Sequence, residues 1–292
     1  MKKILIATDF SNASRNASLY GMQLAKAYQA HVILFNAFQV PVPLPDAMVM
    51  VSPSEVQQTV EDFLREEAKA INPGNEVSLE TICQNDIPVP SILEKAMEIK
   101  ADLIIVGMKG IGKGFRKVFG SSTIGLMRKT TIPVMAIPEE AAYTVPRTIV
   151  FATAKDDVND AQAPSLHFLS RFAAKFESKI FAVHVVKEGE SVVTQPSGPA
   201  RGFETIFQTI PLQYEYPIDQ NIAHALNESI SSHKAHILAM IPHKHELLDR
   251  LFNKSETKQM LFQSSVPVLV LPELPITAGH SKPEWPDLKA VF

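Results

Sequence analysis

The sequence has little of several residue types that define other classes of protein. One cysteine (Cys83) among 292 residues excludes an intramolecular disulfide and a cysteine-based metal cluster, and fits a reducing compartment. The net charge of −3 excludes a generally basic nucleic-acid binder, although not a local anion site. No apolar run approaches the roughly 20 residues of a membrane helix, and the run after Met1 is too short for a signal peptide. These absences predict a soluble cytoplasmic protein without nucleic-acid or membrane partners.

Apolar residues are abundant enough for two cores, and the sequence repeats itself. They make up 46% of the chain, and the length alone favours two domains at roughly 150 residues each. Four segments of the first half recur in the same order in the second half. The pairs are KILIATD (3–9) with RTIVFATA (147–154), HVILFNA (31–37) with KIFAVHV (179–185), ADLIIVG (101–107) with AHILAMI (235–241), and IPVMAIP (132–138) with VPVLVLP (266–272). We interpret the repeat as a duplication that gives domains 1–142 and 143–274 and a C-terminal tail, 275–292.

Short apolar runs alternate with helical patterns within the first half. Strands are predicted at Lys3–Thr8, His31–Ala37, Glu76–Cys83, Leu103–Val106 and Val134–Ile137, and helices near Ala13–Gln29, Ser54–Ile71, Val89–Ile99 and Ser121–Lys129. Ser54 and Gln57 resemble a capping box at the start of the second helix. Strands buried on both faces that alternate with helices are typical of a parallel, doubly wound α/β sheet. The sequence therefore predicts two such sheets in tandem.

Two strand ends in the first half carry residues suited to a ligand. Doubly wound sheets bind ligands outside the carboxyl ends of their strands. The first predicted strand ends in Thr8-Asp9, and Gly107 ends the fourth. A loop after Gly107 leads to Gly120-Ser121-Ser122 and a helix. Glycines let a ligand approach the backbone, and a helix N-terminus favours an anion. Asp9 could instead cap the first helix.

The charge of the same region also favours an anionic ligand. No aspartate or glutamate occurs between Leu103 and Pro138, whereas Lys109, Lys113 and Arg116 lie in the loop. A glycine-punctuated loop without carboxylates, leading into a helix, is what a polyphosphate requires. The alternative is that these cations form a solvated face and that the glycines make only a tight turn.

The spacing G-x2-G-x9-G-S from Gly107 to Ser121 resembles the ATP-binding signature of the universal stress protein family. The resemblance extends over nearly the whole chain, as a tandem pair of such domains with strand order 3-2-1-4-5 in each. A Walker loop is excluded because no Gly-Lys-Ser/Thr ends the motif, and a dinucleotide fingerprint is excluded because no glycine follows the first strand.

The resemblance implies a role for each matching residue. Asp9 would bind the ribose hydroxyls or help to hold a metal. Thr8 and Ala37 would face the adenine, Ala37 through its backbone. The remaining matches would line the ribose and phosphate path (Gly107 and Gly110) or hold the phosphates (Gly120, Ser121 and Ser122). Lys109, Lys113 and Arg116 are added to this cofactor-binding set from their charge alone.

The second half departs from this pattern. Alignment on the strands places Ala154 opposite Asp9 and Ile241 opposite Gly107, with Lys244 and Lys254 opposite the other two glycines. Ser255 alone matches a motif serine. Because a branched side chain would obstruct a nucleotide where its backbone must approach, we expect the second half to keep the fold and lose the site.

Histidines raise a second ligand hypothesis. Seven of the nine lie in the second predicted domain, 143–274, and His243 and His245 follow its fourth predicted strand. Their spacing could suit zinc, but solvated loop imidazoles are the simpler interpretation, so we expect no metal site. Cys83 is predicted to be a strand residue and not a nucleophile, because no base adjoins it.

The sequence thus predicts a protein that binds ATP, with magnesium as a candidate counter-ion, and that acts in stress response or regulation. We expect no catalytic residue, because Asp9 is the one carboxylate at the motif and nothing else there would align an attacking water. A slow ATPase and a nucleotide-independent interaction scaffold are the alternatives. The last strands, Val134–Ile137 and Val268–Leu271, are expected to pair within the chain, and homodimerisation is left open.

Overall fold

A ten-stranded sheet with helices on both faces organises the protein in the computed structural model, which describes residues 1–40, 52–108, 121–153, 162–186, 203–241 and 264–273. The strands are β1 (Lys3–Ala7), β2 (His31–Phe38), β3 (Leu79–Asn85), β4 (Leu103–Met108), β5 (Val134–Pro138), β6 (Thr148–Ala152), β7 (Lys179–Val183), β8 (Leu212–Glu215), β9 (Ile237–Met240) and β10 (Val268–Val270). The helices are α1 (Asn12–Tyr28), α2 (Pro53–Ile71), α3 (Pro88–Glu98), α4 (Ser121–Lys129), α5 (Ala163–Lys175), α6 (Phe203–Ile206) and α7 (Ile222–Ser232).

The strand order is β3-β2-β1-β4-β5-β10-β9-β6-β7-β8. The order 3-2-1-4-5 predicted for the first half is confirmed, and β6 to β10 follow the mirrored order across the sheet. Neighbouring strands are parallel except at the centre, where β10 and β5 are antiparallel, with Leu269 opposite Met135. A local two-fold relation between the halves accounts for this reversal, because such an axis turns one parallel set against the other.

The sheet buries one apolar layer on each face. Residues of α1, α2, α5 and α6 form one layer with the sheet, and residues of α3, α4 and α7 form the other. The first layer crosses between the halves: the Tyr28 ring of α1 lies 6.3 Å from the ring of Phe172 in α5 and 5.6 Å from that of Phe176, the C-cap of α5. Burial raises the pKa of the Tyr28 phenol above its usual value. The two halves therefore share one core along this face.

Helix α2 begins earlier than predicted. Its N-cap is Ser52, no side chain caps it, and Pro53 is its first residue. Proline is favoured at this position because its φ suits a helix and the missing N–H would have no partner there. Ser54 therefore lies inside the helix, and Gln57 donates to Glu61 Oε1 at 2.9 Å. The predicted capping box is wrong, and the strand boundaries shift by one to three residues.

None of the helices in the described ranges is long and apolar enough to cross a bilayer.

Candidate functional site

The carboxyl ends of β2, β1 and β4 lie side by side, and they form the candidate site. Ala7 pairs with Phe35 on one side and with Val106 on the other. Continuing this register puts Thr8 level with Asn36 and Gly107. Strand β1 lies between β2, which follows it in sequence, and β4, which is reached only after the chain has passed through β3. This reversal is the switch point at which doubly wound sheets open a crevice.

Asp9 is the second residue after β1, and its side chain is exposed. Its carboxylate accepts hydrogen bonds from the backbone N–H of Ser11, at 3.1 Å, and from the Ser11 hydroxyl. The N-cap of α1 is Ser11, whose hydroxyl accepts from the N–H of Ser14. The alternative in which Asp9 caps the helix is therefore wrong. The exposed carboxylate lies at the crevice, as a ribose or metal contact requires.

Thr8 and Ala37 lie at the same edge of the sheet but differ in what they can offer a ligand. Thr8 is buried, and its hydroxyl lies 3.0 Å from Oε2 of Glu67 on α2. This side chain therefore points into the protein, so a contact with adenine would depend on its backbone. Ala37 is the penultimate residue of β2 and is half-buried. Its position level with Asp9 suits the predicted backbone contact.

Gly107 lies in β4 beneath the first turn of α1. A Cβ added there would lie 2.5 Å from the carbonyl carbon of Ala13 and from the backbone nitrogen of Ser14. These are backbone atoms that cannot rotate away, so the glycine is required by helix packing whether or not a ligand is present. The sequence motif identified the position, but the reason for the glycine that the structure supplies is the close approach of α1.

A second helix, α4, begins beside Gly107. Helix α4 starts at Ser121, and Thr123 in its first turn donates a hydrogen bond to the carbonyl oxygen of Gly107 at 3.2 Å. The first turns of α1 and α4 hold no acidic residue. Two helix N-termini, with the partial positive charge of their dipoles, therefore meet at the end of β4.

Several predicted site residues lie outside the described residues. They are Lys109, Gly110, Lys113, Arg116 and Gly120 of the loop, and the candidate zinc ligands His243 and His245. Of Ser121 and Ser122, the backbone of α4 is described and the side chains are not. The predictions for these positions stay predictions.

Two polar side chains at the site were not found from the sequence. Glu67 occupies a buried position on α2 and contacts Thr8 and Ser18. Asn36 is buried at the end of β2, and its Nδ2 donates to the carbonyl oxygen of Thr8 at 2.8 Å. A signal for Glu67 was available, because Val60, Leu64 and Ile71 mark an apolar helical stripe that includes position 67.

The second half keeps the backbone hydrogen bond at the end of its first strand, but two of the neighbouring residues differ from those of the first half. The N–H of Thr153 donates to the carbonyl oxygen of Val183, as that of Thr8 donates to Phe35. Nδ1 of His184 lies 3.2 Å from the carbonyl oxygen of Thr153, in the place of Asn36. Since Ala152 pairs with Met240, the next residue, Ile241, occupies the position of Gly107. The alignment of the two halves at this position is therefore confirmed.

The described parts of the chain also bear on the other sites that the sequence suggested, a metal site and a reactive cysteine. No three histidine, cysteine or acidic side chains there are close enough to hold a metal. Cys83 is a strand residue of β3, as predicted. Burial, and then the nearby Glu61 carboxylate, raise the pKa of its thiol, which disfavours the reactive thiolate. On the surface, the hydrogen bond to Asp219 raises the pKa of His224.

Comparison with known proteins adds a family to this geometry. The sequence model of the universal stress protein family matches residues 1–138. A universal stress protein of Synechocystis is 30% identical over 139 residues, which cover 47% of this chain and 85% of that protein. A universal stress protein of Thermus aquaticus is 25% identical over 137 residues, covering 47% of this chain and 98% of that protein.

A solved structure matches both halves at the level of the fold. The crystal structure of a universal stress protein from Archaeoglobus fulgidus superposes with a TM-score of 0.69 at 16% identity. The match covers 93% of this chain and 98% of that one. At this identity the likeness concerns the architecture and says nothing about individual site residues.

Proposed function

Because the chain belongs to the universal stress protein family, we propose that its first half binds ATP, with magnesium as the candidate counter-ion, and that it acts as a nucleotide-dependent regulator in the stress response. The observation that carries the proposal is the convergence of Asp9 with two helix N-termini at the switch point between β1 and β4. A carboxylate that can accept from ribose hydroxyls lies beside a region that favours phosphate.

The loop after β4 supports the same ligand. It contains Gly110 and Gly120 together with Lys109, Lys113 and Arg116, in the spacing of the ATP-binding signature. Cations there would neutralise phosphate charge, and serines at the start of α4 would add hydroxyl donors. Occupancy by nucleotide and not efficient hydrolysis is the proposed outcome, because binding alone does not accelerate a chemical step.

The proposal assigns binding to the first half alone. The second half carries Ile241, 5% exposed, where the first has Gly107. Ala154 replaces Asp9 in its sequence, which removes the carboxylate that would bind ribose. The second half would then act as a structural partner that completes the sheet through β10.

Replacing Asp9 with alanine tests the proposal. Asp9→Ala is expected to weaken ATP binding at least about tenfold, which corresponds to the loss of one charged hydrogen bond. Asp86→Ala is the matched control, because Asp86 follows edge strand β3 and lies away from the switch point. Isothermal titration of magnesium-ATP into both variants and the parent chain gives the affinities. Equal affinity in all three would exclude Asp9 from the site.

A further inference from the structure

Glu67 is an unusual residue for its position. It lies among Val60, Leu64 and Ile71 on the buried stripe of α2. It is the one buried charged side chain within the described ranges, with 9% of its surface exposed. Burying a carboxylate is unfavourable unless hydrogen bonds compensate it, and an apolar residue would satisfy the helix pattern. The carboxylate therefore calls for an explanation other than packing.

Hydroxyl groups compensate the Glu67 carboxylate, and in the described ranges no ion pair includes it. The Thr8 hydroxyl lies 3.2 Å from Oε1 and 3.0 Å from Oε2. The Ser18 hydroxyl of α1 donates to Oε1 at 3.1 Å. Glu67 thereby joins α2 to the end of β1 and to the first turns of α1.

Two acceptors lie within reach of the Thr8 hydroxyl, the Glu67 carboxylate and the Ser14 hydroxyl oxygen at 3.1 Å. The charged carboxylate is the stronger acceptor, so it directs the Thr8 proton. A hydroxyl has one proton, and donating it to the carboxylate leaves the oxygen lone pairs to accept. The backbone N–H of Phe10 donates to this oxygen at 3.1 Å. Phe10 has a φ of 61°, a left-handed conformation that is costly for a residue other than glycine. The hydrogen bond to Thr8 therefore helps to hold a strained turn, and Asp9 lies at its centre.

Helix α2 also holds this turn from outside. The ring of Phe63, one helical turn before Glu67, lies 5.7 Å from the ring of Phe10. Both rings are partly exposed, so they cover the turn on the side of α2. The same helix thus contacts the turn twice, through the buried carboxylate and through the aromatic pair.

In the described residues of the second half, aromatic rings pack on the corresponding face of the sheet. There α6 contributes Phe203, whose ring lies 6.0 Å from that of Phe151 and 6.2 Å from that of Tyr214. Strand β6 is followed by Thr153, whose N–H makes the same backbone hydrogen bond as that of Thr8. The backbone hydrogen bond of Thr8 is therefore a feature of the sheet in both halves.

We propose that Glu67 is the positioning residue of the nucleotide site: through Thr8 and the Phe10 amide it sets the turn that presents Asp9 to the ligand. The inference rests on the proposed function for its ligand. It adds a residue outside the sequence motif and couples α2 to the affinity of the site.

Replacement of Glu67 by methionine tests the proposal, because methionine fits the apolar stripe and accepts no strong hydrogen bond. Glu67→Met is expected to weaken ATP binding about tenfold and to speed hydrogen exchange of the Phe10 amide by a similar factor. Glu67→Gln keeps an acceptor and should restore most of the affinity and protection. Glu66→Gln is the matched control, because Glu66 is an exposed carboxylate on the same helix, paired with Lys69.

Thr8→Val removes the same hydrogen bond from the other side and keeps the test informative if Glu67→Met fails to fold. The double variant should bind no more weakly than either single variant, because both changes break one chain of contacts. Additive losses, or unchanged Phe10 exchange in Glu67→Met and Thr8→Val, would overturn the proposal. If the parent chain binds no ATP, the proposed function fails, whereas amide exchange measured without nucleotide still decides whether Glu67 holds the turn.

Discussion

The Gly107→Ala variant is expected to lose about 3 kcal/mol of its free energy of unfolding, at the upper end of the range for an overpacked core. The added Cβ would lie 2.5 Å from the backbone of Ala13 and Ser14. Relief requires the first turn of α1 to move away from β4, because no side-chain rotation can open the space. That movement would also displace the turn that carries Asp9, so nucleotide affinity should fall together with stability.

Gly21→Ala is the matched control for Gly107→Ala. Its added Cβ would lie 2.6 Å from Cδ1 of Ile6, the end of a flexible side chain that can move. Alanine is also the better helix former by about 1 kcal/mol, which offsets part of the crowding. Urea unfolding should therefore give Gly21→Ala a stability near that of the parent. If the parent, Gly107→Ala and Gly21→Ala had equal free energies of unfolding, the close contact between α1 and Gly107 would be contradicted.

Expression of residues 1–142 alone is expected to give a self-associating fragment. All five residues of β5 are buried in the full chain, where β10 covers the strand. The fragment would expose this edge as well as the face of Tyr28 that packs on Phe172 and Phe176. An apolar edge strand of this kind pairs readily with a second copy, so we expect a dimer by light scattering at micromolar concentration.

The fragment dimer has its own control. Tyr28→Lys places a charge on the face that the fragment exposes, and it should shift the fragment toward monomer without touching β5. A fragment that is monomeric and as stable as the full chain would contradict the shared core. It would mean that the contacts between α1 and α5 contribute little to the stability of either half.

The sheet could be predicted from the sequence because its strands are short apolar runs that recur in a fixed order. Segments such as Leu103–Val106 consist of consecutive apolar residues, which indicates strands that are buried on both faces. The start of α2 was harder to predict. Ser54 is a residue type that often caps helices, but the helix begins at Pro53, whose backbone conformation suits the first helical position. The residue types of a segment thus predict which kind of element it forms, whereas the backbone preference of individual residues determines where that element begins or ends.

The contacts within the candidate site could be predicted only in part, because some of them join distant segments. Asp9 and Gly107 belong to recognisable local patterns. Glu67 contacts Thr8, which is 59 residues away in the sequence. Helix α2 contains several other charged residues, so the sequence does not indicate which of them has a buried partner. The packing of α1 on Gly107 is likewise a tertiary contact, which no spacing within the loop motif reveals.

Isothermal titration of magnesium-ATP into the full chain tests the central claim most directly. Binding in the first half alone predicts about one site per chain in the parent and strongly weakened binding in Asp9→Ala. Two equal sites would contradict the assignment of the second half as a partner without nucleotide. The absence of any binding by the parent chain would contradict the proposed function itself.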